Sequence, residues 1–361
     1  MRTCVEPNRI ATLAAWIAMT GSAASAFAQP VAAPASAQPA AVSVDSINAE
    51  HERELTRLER RRIDALGRLA LSQPKGQAAA TYDACFRLAI ARNLFDAAAP
   101  YAAGVIRSED PASGVAWLAH VVQIVGEADR GAYEQSLKSL ADAIKPGQAR
   151  AAAHAAGLPP AATASIVDAY YQRLLYADQI EVARKAMTLV LESAESAQVR
   201  DLATRRLKQL DLVGKPAPAI SGLDLDGKPF ALADAKGQVT LVVFWATWCV
   251  PNAQQMPLLD SINNAYKSKG LRVVGINLDS AQDGAQELKS VLPNIRRFLL
   301  DHNVTWPTLL NGPGELDYAK AYGVTEIPAS VLIGRDGKVT HLDLVGRKLE
   351  KAIAEDLARN P

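Results

Sequence analysis

The chain has 361 residues, 49% of them hydrophobic, with 39 Lys+Arg against 38 Asp+Glu. That length suits two domains better than one and supplies ample apolar material for their cores. The balanced charge excludes the basic surplus that a nucleic-acid or anionic-membrane partner requires.

Arg2 and Arg9 form a basic start, Ile10 to Thr20 is uncharged and apolar, and Ala26-Phe27-Ala28 is a small-x-small site before Gln29. Residues 1–28 are therefore expected to be a cleaved export signal. The apolar part is too short for a stable membrane span, and the expected compartment is the bacterial periplasm. Cleavage would remove Cys4, Arg2, Glu6 and Arg9 and leave Cys85 and Cys249. Two cysteines are too few for a disulfide framework in an exported chain.

Residues 29–44 are almost all Ala, Pro, Gln, Ser and Val and read as a flexible tether. Residues 45–211 read as an all-helical domain. Apolar residues at Leu55, Leu58, Ile63, Leu66 and Leu69 to Leu71 mark a long amphipathic helix from Glu50. Further helices are predicted over Thr81–Leu94, Asp96–Ser108, Pro111–Glu127, Ala132–Ile144, Pro160–Ala177, Gln179–Glu192 and Ala194–Leu210, with a stop at Lys145-Pro146-Gly147. Brief connections predict an antiparallel bundle or helical hairpins, without a fixed repeat period.

Past Val213-Gly214-Lys215-Pro216-Ala217-Pro218, strands alternate with helices over residues 213–361, as in an α/β domain. Leu223 to Phe230 predicts a hairpin turning at Asp226-Gly227. Gln238–Ala246 is a strand whose continuous apolar run requires cover on both faces. Then come a helix over Cys249–Ser268, a strand over Leu271–Asn277, a helix over Gln286–His302 broken near Pro293, a strand over Thr305–Leu310 and a helical turn over Leu316–Tyr322. A second hairpin, Ala329–Gly334 with Lys338–Val345, and a helix over Lys348–Ala358 close the chain.

Phe244-Trp245-Ala246-Thr247-Trp248-Cys249-Val250-Pro251 puts a cysteine between a strand and a helix. Together with Met256-Pro257, Trp306-Pro307, Tyr322-Gly323-Val324 and Ile327-Pro328-Ala329 through Asp336-Gly337-Lys338, it resembles the TlpA/ResA branch of thioredoxin-like proteins, which are exported and related to the redoxins. The resemblance implies a thioredoxin-like α/β fold, thiol–disulfide exchange in cell redox homeostasis, and no cofactor or metal. It also implies Cys249 as nucleophile, a cis peptide before Pro328, and a substrate groove formed by Trp248, Pro251, Ile327 and Pro328. The family pattern departs at Asn252, where a second cysteine is usual, and at Gln255, where a glutamate is usual.

A cysteine at a helix start faces unpaired N–H groups that favour its anion. With Asn252 in place, attack by Cys249 leaves an adduct that an outside thiol, or the substrate's own, must release. Protein or small-molecule thiols and disulfides are the expected partners, with a further protein partner possible on the helical domain. Two other readings stay open: a redox-inactive binding module using the same groove, and a one-cysteine peroxidase, whose local pattern is matched only by Thr247. Cys85 reads as a small buried hydrophobe, with a resolving role as the sharper alternative. Gly222 to Pro229 falls short of a phosphate loop because Pro229 stands where Ser or Thr is needed.

Overall fold

The computed structural model describes residues 3–4, 44–144, 156–281 and 288–359. The predicted signal and tether, apart from Thr3, Cys4 and Val44, lie outside the described residues, as does the stop at Lys145-Pro146-Gly147.

The helical region comprises α1 (Val44–Ser72), α2 (Lys75–Ala91), α3 (Phe95–Ser108), α4 (Gly114–Asp129), α5 (Tyr133–Ala143), α6 (Pro160–Tyr176), α7 (Ile180–Ser193) and α8 (Ala197–Leu210). Helices joined by short connections pack on one another, and α4 also packs on α6. Several predicted details change: α1 starts at Val44, at the end of the expected tether, and α2 runs over Lys75–Ala91 rather than Thr81–Leu94. The fourth helix starts at Gly114, not Pro111, because the Ser113 hydroxyl accepts the Ala116 N–H as a cap. In α1 the buried stripe is Ile63 and Ala70, three and four residues to either side of half-buried Leu66, while Leu58, Leu69 and Leu71 are exposed. Gly67 lies on that stripe, and a Cβ there would stand 2.3 Å from the Tyr101 ring, so this glycine sets how closely α1 approaches α3.

The C-terminal region begins with the hairpin β2 (Ser221–Leu223) and β3 (Pro229–Ala231). Its turn has Gly227 at φ 76°, and the Asp224 carboxylate accepts the Asp226 and Lys228 N–H groups. A five-stranded sheet follows in the order β6-β5-β4-β8-β9. Its strands are β4 (Val239–Trp245), β5 (Leu271–Asn277), β6 (Thr308–Leu310), β8 (Ala329–Ile333) and β9 (Val339–Leu342). β4, β5 and β6 run parallel, and β8 and β9 are antiparallel to their neighbours. This mixed sheet with α9 (Val250–Tyr266), α10 (Leu288–Asp301), α11 (Tyr318–Ala321) and α12 (Gly346–Ala358) is a thioredoxin-like fold. Pro293 sits inside α10, which runs on unbroken, and the sixth strand starts at Thr308 instead of Thr305.

Every residue of β4 is buried, so both its faces are covered as the apolar run required. Val239, Leu241, Val243 and Trp245 pack with Met256, Ile295 and Ile353, from α9, α10 and α12. Val242 and Phe244 face the other way and join a core continuous with that of the helical region. The connection is tied down too: Gly214 donates to Val339 O at 2.8 Å, and Val339 donates to Lys215 O at 2.9 Å.

Candidate functional site

β4 ends at Trp245, and the turn Ala246-Thr247-Trp248 delivers Cys249 to the N-cap of α9. Pro251 falls in the first turn, where a missing N–H costs no helical bond. The Asn252 N–H closes that turn on Cys249 O at 2.9 Å. The Ile327–Pro328 peptide is cis, and it joins β7 (Glu326–Ile327) to β8. Cys249 Sγ lies 3.6 Å from Ile327 O. The structure thus brings Cys249, Pro251, Ile327 and Pro328 to one place, with half-buried Trp248 next to the sulfur in sequence.

The state of the sulfur departs from the sequence expectation. Cys249 is fully buried and disulfide-bonded, not a free thiol. A disulfide sulfur has no proton to donate, so the approach to Ile327 O is a contact here and would become a hydrogen bond only in the thiol. Cys85 is a free thiol elsewhere, a small buried hydrophobe as its sequence context implies. It is fully buried beneath α1, where its Sγ–H donates to Ile63 O at 3.4 Å. Burial, helped by the nearby Asp64 charge, pushes its pKa up to about 11, which opposes thiolate chemistry. At the other end of the chain, the backbone of β1 (Thr3–Cys4) pairs in parallel with Glu326–Ile327.

Asn252 is buried at 1% exposure. Its Oδ1 accepts the Ala246 N–H at 3.3 Å, while its Nδ2 has no hydrogen-bond partner among the described residues. The amide thus braces the turn before the cysteine and leaves a spare donor inside the site. Gln255 is half-buried on the following turn of α9.

One supporting residue escaped the sequence reading. Buried Asp279, just past β5, accepts the Thr247 N–H at 3.1 Å, the Thr247 hydroxyl and the Asn277 side-chain amide. It fixes the turn from below. Its signal was a carboxylate two residues after an apolar central strand, where parallel sheets carry their sites.

Residues 212–357 match the Redoxin family model. Over 147 residues the chain is 30% identical to the thiol-disulfide oxidoreductase ResA of Bacillus thuringiensis subsp. konkukian, covering 41% of this chain and 78% of ResA. It is 31% identical over 144 residues to the thioredoxin-like protein YneN of Bacillus subtilis, covering 40% of this chain and 78% of YneN. Among solved structures, the thioredoxin domain of a thiol-disulfide oxidoreductase from Bacteroides vulgatus aligns at 27% identity over 40% of this chain and 97% of that one, with a TM-score of 0.35.

Proposed function

The chain belongs to the family of ResA-like thiol–disulfide oxidoreductases built on a redoxin domain, and we propose from that premise that it is an exported protein exchanging thiols and disulfides through Cys249 alone. The observation that carries the single-sulfur reading is Asn252, buried one helical turn from Cys249 where a resolving sulfur would have to stand.

The Cys249 thiolate attacks one sulfur of a substrate disulfide. A Cys249–substrate disulfide forms, the substrate S–S bond breaks, and the second substrate sulfur leaves as a thiolate that takes up a proton. Asn252 cannot attack the adduct. A thiol from solution does so instead, bonding to the substrate sulfur and returning Cys249 as thiolate. The net result is one disulfide exchanged for another. Where the attacking thiol belongs to the substrate itself, the result is isomerisation. Ile327 and Pro328 present the backbone edge against which a substrate lies, and Trp248 supplies an apolar flank. Gln255 cannot relay a proton as a carboxylate can, so proton transfer falls to water.

The test is incubation of the reduced chain with a glutathionylated peptide. An adduct on Cys249 that persists until free thiol is added, and that is absent in Cys249→Ser, is expected. Turnover that survives in Cys249→Ser would sink the reading. Asn252, which cannot carry out the release step, also supports a second reading, a binding module whose groove holds a partner peptide without exchange. Peptide binding with no Cys249-dependent adduct would support it. Export to the periplasm is checked by sequencing the N-terminus of the native protein, with Gln29 expected first.

A further inference from the structure

Arg206 of α8 is 5% exposed, yet it is charged and donates four side-chain hydrogen bonds in the interior. Its Nε and Nη2 donate to Asp168 Oδ1 of α6 at 2.9 and 2.7 Å, and its Nη1 donates to Gln209 Oε1 at 3.2 Å. Nη2 also donates to Glu326 Oε2 at 3.0 Å. Gln209 in turn donates from Nε2 to Asp343 Oδ2 at 3.2 Å, and Asp343 Oδ1 accepts the Ser330 N–H at 2.9 Å.

The ends of this network matter more than its middle. Glu326 lies two residues before Pro328, and Ser330 two residues after it. Two side chains from one turn of a helical-region helix therefore hold both flanks of the segment that faces Cys249, Arg206 directly at Glu326 and Gln209 through Asp343 at Ser330. A buried ion pair is a poor way to gain stability, since well-packed apolar residues do as well or better. What charge and geometry do provide here is a fixed arrangement. The Arg206 guanidinium makes four donations to Asp168, Gln209 and Glu326, one more than the three N–H groups of a lysine ammonium allow.

We propose that Arg206 and Gln209 are positioning residues for the exchange site, holding residues 326–330 at the distance from Cys249 that a bound substrate backbone requires. The helical region is then a working part of the site, not an appended module. This rests in part on the exchange reading of Cys249, so the experiment has one arm independent of it.

In that arm, amide hydrogen exchange is followed on the full chain, reduced, for Gln209→Leu and Glu326→Ala. Each substitution removes one of the two links without stranding Asp168. Exchange over residues 326–331 is expected to rise about 10-fold, the equivalent of about 1.4 kcal/mol and of one hydrogen bond. Protection of β4 should stay unchanged. A uniform rise across the sheet, or no change at all, overturns the proposal. In the second arm, the same variants react with a peptide mixed disulfide and with hydroxyethyl disulfide, which needs no backbone groove. The apparent KM for the peptide should rise about 10-fold with kcat and the small-disulfide rate unaltered. Equal loss on both substrates would mark a merely structural role and overturn the proposal. If Cys249 reacts with neither disulfide while the exchange arm behaves as expected, the exchange reading fails and the positioning role stands.

Discussion

Cys249 Sγ stands 3.6 Å from the carbonyl oxygen of Ile327, though 78 positions separate the two residues. The contact joins the start of α9 to the segment where β7 passes into β8. Placing a second sulfur on the same turn changes the chemistry. Asn252→Cys is expected to shorten the life of a Cys249–peptide adduct by at least about 100-fold, because a neighbouring thiol acts at a very high effective concentration. The substitution also gives up the 3.3 Å bond to the Ala246 N–H, at a cost of about 1 kcal/mol. Stopped-flow acid quench of the adduct reads the first effect. An unchanged lifetime would mean that release is not limited by the missing sulfur.

The disulfide on Cys249 bears on export. Cys85 is free, so a chain beginning at Gln29 keeps no cysteine other than a buried one to pair with Cys249. In that shorter chain Cys249 is expected as a thiol, modified by iodoacetamide without prior reduction. In the full chain it should resist until reduced, as its disulfide-bonded state requires. Mass spectrometry of both chains, with and without reductant, decides it. Equal labelling of the two without reductant would refute the dependence on residues 1–28.

Cys85 makes a pH prediction whose sign follows from its burial. Its folded pKa is raised to about 11 from an ordinary value of 9.0, so the folded state keeps the proton longer than the unfolded state does. The contribution is fully present below pH 9 and is lost as pH rises towards 11. Wild type and Cys85→Ala should therefore converge in stability by about 2–3 kcal/mol over that interval. Comparing the two chains cancels the buried tyrosines, such as Tyr322, whose pKa values are also raised by burial. Urea denaturation of both at pH 8 and pH 10.5 measures the difference.

The sequence carried most of the C-terminal region because apolar periodicity and turn residues are local signals. The run Leu271–Asn277 is the observed strand to the residue, and Asp226-Gly227 makes the predicted turn. The position of Cys249 at a helix start was equally legible, since a strand, a cysteine and a first-turn proline lie side by side in the chain. What stayed hidden is non-local. Nothing near Arg206 in sequence announces Glu326, which lies 120 residues on, and nothing near Thr247 announces Asp279. In α1 apolar periodicity assigns the leucines at 58, 69 and 71 to the buried face, yet the stripe is chosen by what packs against it, and Gly67 and Tyr101 set that contact.

Asp279 offers a last, graded test of how the turn bearing the cysteine is held. Its carboxylate accepts three donors, two of them from Thr247, two residues before Cys249. Asp279→Ala leaves buried donors unsatisfied, at about 2–4 kcal/mol. For a chain of 361 residues that corresponds to a fall in Tm of roughly 3–5 °C. Thr247→Val removes only the hydroxyl and keeps the backbone N–H bond, so its loss should be nearer 1 kcal/mol. Because the turn positions the sulfur, both variants should also slow adduct formation on Cys249, in the same order. Thermal melts paired with alkylation rates on the reduced chain supply both readings. A variant that melts early while Cys249 reacts at the wild-type rate would show that the Asp279 brace serves the sheet and not the site.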